Sequence, residues 1–162
     1  MEQFTQHETV ILTHTSPGRL AYLAKTGIVV PVCLQDSPCR QLYYSWEQIL
    51  ELRTICQLRR QISLQMIRKI LAFLENNGSD RTLHNKQLIV ANGAVDWIQL
   101  DMNKDSQIVR VAAKTNQHVG QLKLITMPLM SDLVHDVWGV ARQSNVIDFE
   151  GFRCRASLCH QE

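Results

Sequence analysis

The stretch from residue 14 to residue 31, HTSPGRLAYLAKTGIVVP, contains the start, the body and the end of one short helix. Ser16 followed by Pro17 predicts an N-cap with proline at the first helical position. Gly27 stands before a β-branched run and Pro31, which predicts that the helix ends there. The helix between these signals is about three turns long.

The residues of this short helix divide into an apolar and a polar side. Leu20, Leu23 and Ala24 are expected to face the core. The polar side comprises Gly18, Ala21, Tyr22 and Lys25, spaced i, i+3, i+4 and i+7, with Arg19 beside them. A short helix that displays an arginine, a tyrosine and a lysine on one side is a candidate for binding a polyanion.

A second short helix is predicted just before it, over residues 4–13, where Thr5 and Glu8 form a capping-box pattern. Two short helices joined by a tight turn, the second beginning Ser-Pro, have the layout of a helix-turn-helix. In that layout the second helix enters the major groove of DNA with its N-terminal residues at the base edges. Arginine can bind guanine through two hydrogen bonds, while tyrosine and lysine mostly contact phosphates.

The chain after Pro31 predicts a small two-stranded wing and a third helix. Residues 32–43 contain the turn cluster Asp36-Ser37-Pro38 between two apolar stretches. Ser45 and Gln48 form a second capping-box pattern, and helical spacing of apolar residues follows over residues 46–60.

A fourth helix is predicted over residues 63–76, where Met66 and Phe73 widen the apolar arc. An arc wider than one core requires suggests a second contact surface. The polar segment NNGSDRT, residues 76–82, then predicts a linker. The sequence therefore predicts a first domain over residues 1–76.

Residues 83–162 predict a small domain of mainly β structure with one helix, so that the whole chain is of the α+β class. Asn92-Gly93 lies between two β-prone runs, the strongest short-range signal for a hairpin. Further strands are predicted within residues 106–113 and 120–127, and a final hairpin within residues 146–156. The single helix, over residues 131–142, is expected to direct inward Leu133, Val134, Val137, Trp138 and Ala141.

Composition limits the functional classes. The chain has 162 residues, of which 45% are hydrophobic and 20% charged, as in a folded globular protein. The beginning, MEQFTQHETV, lacks the pattern of a secretory signal, and no apolar run is long enough for a membrane helix, so a cytoplasmic protein is expected. The five cysteines include no C-x-x-C pair, and reduced thiols are expected.

Catalysis and metal binding are not expected. The six histidines have no metal-ligand spacing, and no phosphate-binding glycine motif or nucleophile-elbow motif occurs. His135 and Asp136 are adjacent on a predicted helix and point about 100° apart, so their spacing does not make a catalytic pair. Cys154, Cys159 and His160 could seed a zinc site, but a structural zinc requires four ligands. We expect no cofactor and no metal.

The sequence resembles the DNA-binding domain of the MerR family over about residues 4–75. The matching stretches are FTQHETVILTHTSPGRLAYLAKTGIVVP (4–31) and RQLYYSWEQILELRTICQLRRQISLQMIRKIL (40–71). The positions that match the family pattern are Phe4, Thr5, Ser16, Pro17, Leu20, Tyr22, Gly27, Pro31, Tyr44, Ser45, Leu52 and Ile55. Ala21 and Leu23 replace the family's usual arginine and second tyrosine, and Arg40-Gln41 stand for its displaced Gly-x-Arg.

The resemblance implies a winged helix-turn-helix followed by two helices, and a homodimer that binds double-stranded promoter DNA. It implies that the DNA-binding residues are Thr15, Ser16, Gly18, Arg19, Tyr22, Lys25, Arg40, Gln41 and Tyr43, with Arg19 supplying the missing cation. Because residues 83–162 lack the family's long coiled coil, the chain most resembles the small repressors found beside type V-K CRISPR-associated transposons. By that resemblance it would repress transposon genes without a small-molecule effector, and residues 83–162 would contribute to the dimer.

Other functions remain open at this point. An excisionase-like architectural factor would share the winged helix but would bend its site and act with a recombinase. A protein-binding adaptor would use the β-rich domain to bind a partner and would leave no specific footprint on DNA. A small-molecule or metal sensor is the least favoured alternative, because no convergent polar cluster is visible in residues 83–162.

Overall fold

The computed structural model describes residues 3–34, 41–84, 86–91, 94–99, 107–112, 125–126 and 129–157. The helices are α1 (Gln6–Thr13), α2 (Pro17–Lys25), α3 (Trp46–Leu58), α4 (Leu64–Asn76), α5 (Met130–Gln143) and α6 (Phe149–Ser157). The strands are β1 (Phe4–Thr5), β2 (Val32–Leu34), β3 (Gln41–Tyr44), β4 (Gln87–Ala91), β5 (Ala94–Gln99), β6 (Gln107–Ala112) and β7 (Ile125–Thr126). The structure thus combines helices with antiparallel sheets, as the predicted α+β class requires.

The chain divides into two compact units that do not coincide with the predicted domains 1–76 and 83–162. The first unit contains the described residues of Met1–Cys56 and of Met130–Glu162, and the second those of Gln57–Leu129. The division differs because α5 packs against α1, which joins the helices after residue 130 to the N-terminal elements. Helix α4 packs against β6 and therefore belongs with the later strands.

Local capping defines the first two helices. The Thr5 hydroxyl accepts a hydrogen bond from the Glu8 backbone N–H at 3.3 Å, and the Glu8 carboxylate accepts one from the Thr5 N–H at 2.8 Å, which confirms the predicted capping box. Helix α1 ends at His14, which has a left-handed backbone with φ of 53°. Two residues later Ser16 caps α2 and accepts a hydrogen bond from the Arg19 N–H at 3.4 Å.

Gly27 ends α2 as predicted. Its φ of 67° is a backbone conformation that side-chain-bearing residues rarely adopt. The Gly27 N–H donates to the Ala24 carbonyl at 3.1 Å and the Ile28 N–H donates to the Leu23 carbonyl at 3.0 Å, the two bonds of a Schellman motif. These bonds fix the turn by which the chain leaves α2 and continues to β2.

The first unit contains a three-stranded antiparallel sheet in the order β1-β3-β2. Strands β2 and β3 form the predicted antiparallel pair, with Cys33 opposite Leu42, while β1 adds a third strand through Phe4 and Tyr44. The predicted turn at residues 36–38 lies outside the described residues. At the start of α3 the Gln48 carboxamide oxygen accepts a hydrogen bond from the Ser45 N–H at 3.1 Å, and the Gln48 amide nitrogen donates to the Val30 carbonyl at 2.7 Å, so one side chain connects α3 to the segment before β2.

An aromatic cluster lies at the centre of the first unit. Phe152 of α6 is fully buried, and its ring centroid lies 5.8 Å from those of Phe4 and Trp46 and 5.4 Å from that of Trp138. These rings come from β1, α3, α5 and α6. The cluster therefore joins elements that are distant in sequence into one core.

The predicted final hairpin within residues 146–156 is wrong, because α6 (Phe149–Ser157) occupies most of this range. Asp148 caps the helix and accepts a hydrogen bond from the Gly151 N–H at 3.1 Å. Phe149, Phe152 and Ala156 then recur at helical spacing, and Phe152 and Ala156 are buried. Phe152 and Ala156 lie four residues apart and are buried on the same side, which is the spacing of one helical turn.

The second unit consists of α4 and a four-stranded antiparallel sheet in the order β6-β5-β4-β7. Ser63 caps α4: its hydroxyl accepts a hydrogen bond from the Met66 N–H at 3.2 Å. The buried residues of the helix are Ile67, Ile70, Leu71 and Leu74. Ala91 pairs with Ala94, which confirms that β4 and β5 form an antiparallel pair, while Asn92 and Gly93 of the predicted turn lie outside the described residues. Of the strand predicted within residues 120–127, the structure describes only β7.

Candidate nucleic-acid interface

Helix α2 presents its predicted polar side to solvent. The residues exposed there are Gly18, Arg19, Ala21, Tyr22 and Lys25, whereas Leu20 and Leu23 are each 1% exposed. The two leucines are held in the core of the first unit and fix the rotation of the helix about its axis. The polar side is therefore oriented by packing.

The cations of this face are unpaired within the described part of the chain. Neither Arg19 nor Lys25 has a carboxylate within ion-pair distance there. Tyr22 is 46% exposed, although large aromatic side chains usually bury most of their surface. At Gly18 an added Cβ would meet no atom within 4 Å, so the start of α2 offers bare backbone to an approaching molecule.

The residues before α2 differ in what they can reach. Thr15 is 2% exposed, and its hydroxyl faces the Thr13 carbonyl at 3.5 Å. Its side chain is therefore part of the core and cannot contact a ligand on the surface, unlike what the family resemblance implies. Ser16 is exposed but uses its hydroxyl as the helix cap.

Strand β3 carries two of the other predicted residues. Gln41 is exposed and Tyr43 half-buried, and the Tyr43 hydroxyl donates to the Gln41 carboxamide oxygen. Both side chains lie on the face of the strand opposite to the buried Tyr44. Arg40 lies outside the described residues. The structure thus places Gln41 and Tyr43 together as one polar pair.

Helix α1, which precedes the turn into α2, is held by an ion pair that the sequence did not indicate. Arg155 of α6 binds both carboxylate oxygens of Glu8 at 2.7 and 3.1 Å, donates to the Gln3 carbonyl at 3.0 Å and lies 4.6 Å above the Phe4 ring. Burial raises the pKa of Glu8, but the hydrogen bonds from Arg155 and Thr5 and the guanidinium charge outweigh it and lower the pKa below its ordinary value. Arg155, 147 residues away in the sequence, thus anchors Glu8 at the start of α1.

No group of His, Cys, Asp and Glu side chains within the described ranges could hold a metal ion. In the same ranges Cys33, Cys56 and Cys154 are free thiols, while Cys39, Cys159 and His160 lie outside them. No described helix combines the length and the apolar character that crossing a membrane requires.

Comparison with known proteins adds no relative: no protein-family model matches the chain, and no curated protein matches its sequence significantly. The geometry of α2 and of β3 is therefore the evidence for function.

Proposed function

We propose that the protein is a sequence-specific transcriptional repressor that binds promoter DNA as a homodimer. In this proposal α1, its turn and α2 form a helix-turn-helix, and β2 and β3 form the wing. The observation that carries the proposal is the exposed side of α2, where Arg19, Tyr22 and Lys25 have no side-chain partner among the described residues, on a helix oriented by two buried leucines.

The dimensions of α2 suit the major groove of DNA. A helix with its side chains is about 10–12 Å across, and the groove is about 12 Å wide. Gly18 and Arg19 lie in the first turn, where recognition helices contact base edges. Tyr22 and Lys25 lie farther along the same side and are assigned to the phosphates, as is the Gln41–Tyr43 pair on the wing.

Two protomers are part of the proposal because one such helix makes few contacts. Joining two half-sites about one helical turn apart raises both affinity and specificity. A dimer seated on a promoter excludes polymerase without catalysis or ligand. The resemblance to the MerR-type repressors beside CRISPR-associated transposons suggests the same kind of target, promoters of transposon genes.

The first test is footprinting of the purified full chain on the DNA that flanks its own gene, at two salt concentrations. We expect an inverted repeat to be protected, and the protection to weaken steeply as salt rises because each phosphate contact releases counterions. Transcription in vitro from the footprinted promoter should fall. A transcript that rises, or strong bending without an effect on transcription, would replace repression by activation or an architectural role.

The residue-level test is Arg19→Ala, with Arg81→Ala as the matched control. Arg81 is an exposed arginine of the second unit that only weakly contacts Glu75, at 3.9 Å. Loss of a guanine contact costs about 1–3 kcal/mol, so Arg19→Ala should lower specific affinity by about 5–150-fold and leave the melting temperature unchanged. Equal losses in the two variants would contradict the assignment of α2.

A further inference from the structure

A second surface of the first unit carries features that DNA binding does not use. Helices α5 and α6 enclose an open groove with a volume of about 840 Å³. Its main lining residues are Val134, Trp138, Gly139 and Arg142 of α5 and Phe149 and Arg153 of α6. The sequence prediction placed Val134 and Trp138 in the core, but both are only half-buried, because the groove leaves one side of each uncovered.

The groove is elongated. Its lining follows α5 from Ser131 to Gln143, at positions that share one face of the helix. Twelve residues of helix span about 18 Å. That length corresponds to about three turns of a second helix laid alongside, which is the geometry of helix-in-groove recognition.

The floor of the groove is apolar and made of packed aromatic rings. Trp138 packs edge-on against Phe149, with centroids 6.0 Å apart, and both rings contact the buried Phe152. At Gly139 an added Cβ would meet no atom within 4 Å. The absence of a side chain there lets the backbone of a partner approach α5 closely.

The charge of the lining has one sign. Arg142, Arg153 and His135 are the ionisable side chains that line the groove, and none of the described lining residues is acidic. Arg153 contacts Glu150 at 3.2 Å, but both side chains are more than half exposed, and such a pair contributes little. An occupant with carboxylates on the side facing the arginines complements this lining.

The arrangement of the rings argues for a protein over a nucleic acid. The Arg142 guanidinium lies 5.6 Å from the Phe149 centroid and covers one face of that ring. Trp138 is held edge-on to two neighbouring rings. Single-stranded nucleic acid is bound by stacking bases on exposed aromatic faces, and these rings are already packed against their neighbours.

We propose that the groove between α5 and α6 is a docking site for an acidic amphipathic helix of a partner protein. Apolar side chains of that helix contact Val134 and Trp138, its backbone passes over Gly139, and its carboxylates pair with Arg142 and Arg153. This proposal goes beyond DNA binding and does not rest on it, since none of these residues belongs to α2 or β3.

The test is a selection from a library of random peptides of about 16 residues, enough for four helical turns. The library is selected on the full chain and counter-selected on Gly139→Leu, which fills the groove at a position where a side chain meets nothing. We expect the enriched peptides to combine acidic residues with apolar residues at i, i+3, i+4 and i+7. Their affinity, measured by fluorescence anisotropy, should fall at least tenfold in Gly139→Leu and in Arg142→Glu.

The matched control is Gly18→Leu, which adds the same side chain at the other helical glycine with open space around it. Both substitutions replace glycine in a helix by a good helix former, so neither should lower the melting temperature. We expect Gly18→Leu to retain the peptides.

Four outcomes would overturn the proposal. One is that no peptide is enriched over the counter-selection, and another is that the enriched peptides are basic or uncharged. The third is that a single-stranded oligonucleotide, and no peptide, binds in a way that Gly139→Leu abolishes. The fourth is concentration-dependent self-association lost in Gly139→Leu, which would make a second copy of the chain the occupant.

Discussion

The α2 surface and the α5–α6 groove each present two cationic side chains near a glycine with open space around it, yet they differ in what lies between the cations. On α2 the neighbours of Arg19 and Lys25 are small residues and one projecting tyrosine. In the groove the neighbours of Arg142 are packed aromatic rings. The difference teaches that cations alone do not define a partner. A projecting helix with little apolar surface suits the phosphates and base edges of DNA, whereas an apolar floor suits a protein helix.

The ring cluster around Phe152 forms the floor of the groove and also contains Phe4, which lies in β1 just before α1. Phe152→Ala is the substitution expected to have the largest effect. Truncating a buried phenylalanine costs about 3–5 kcal/mol, so the free energy of unfolding in urea should fall by that amount, and both DNA and peptide binding should weaken on warming. Phe149→Ala, at the half-buried edge of the cluster, should cost less. Retention of either binding activity at the temperature where the other is lost would show that the surfaces are independent.

The ion pair between Glu8 and Arg155 is expected to have the next largest effect, since it joins the helix before α2 to one side of the groove. Glu8→Gln keeps the shape of the side chain but removes the charge, and hydrogen bonds to charged groups contribute about 1.5–3 kcal/mol. We expect a loss of that size in the free energy of unfolding. Glu150→Gln, which alters only an exposed pair, is the control and should change stability by less than about 1 kcal/mol.

The same ion pair predicts a dependence on pH. Because folding lowers the pKa of Glu8, its contribution is fully present above the unfolded-state pKa, near 4.3, and is lost as the pH falls through the lower pKa of the folded state. The stability difference between the unmodified chain and Glu8→Gln should therefore be constant above about pH 5.5 and shrink below about pH 4. A difference that persisted unchanged at pH 3 would mean that Glu8 is not held by its charge.

A smaller effect is expected from removing the N-cap of α2, which should change DNA binding but not peptide binding. Ser16→Ala removes the hydroxyl that caps the helix and should cost about 1 kcal/mol in the free energy of unfolding. Because the first turn of α2 would fray, DNA affinity should fall, whereas binding of the selected peptides should not change. Ser16→Asp restores a capping oxygen and should recover stability but not DNA affinity, since it adds a negative charge beside the phosphates.

The smallest expected effect is a change in how DNA affinity, but not peptide affinity, depends on salt. Lys25→Gln removes one proposed phosphate contact, so the slope of log affinity for DNA against log salt should become shallower by about 0.9. The salt dependence of peptide binding should be the same in this variant as in the unmodified chain. An unchanged slope for DNA would place Lys25 away from the phosphates.

The two surfaces also differ in how far the sequence could predict them. Helix α2 was predicted with its boundaries because its signals are local: Ser16-Pro17 at one end and Gly27 at the other. The sequence does not predict the groove, because it predicts a hairpin over residues 146–156. What makes them a helix is the contact of Phe152 with Phe4, Trp46 and Trp138, residues far away in the sequence. The local signals for a helix, Asp148 as the cap and Phe152 and Ala156 at helical spacing, are short and do not indicate these contacts.

The same reasoning explains the smaller differences. Thr15 stands beside the cap residue and has the polarity of a surface residue, but the left-handed turn at His14 directs it inward. The division into two units is also not predicted. The linker-like composition of residues 76–82 predicts a domain boundary there, whereas the units meet at residues 56/57 and 129/130. The association of α5 with α1 depends on side chains that meet only in the folded chain.

The ion pair between Glu8 and Arg155 forms only late during synthesis of the chain. The two residues are 147 positions apart, so at about 5–20 residues per second a ribosome produces Arg155 roughly 7–30 s after Glu8. Until then α1 lacks its guanidinium partner, and the ring cluster lacks its central member, Phe152. Incomplete chains released before that point would carry every residue of α2, while α1, the helix before it, would lack the ion pair with Arg155. On the proposed function, such chains should neither occupy an operator nor pair with full-length protomers on DNA.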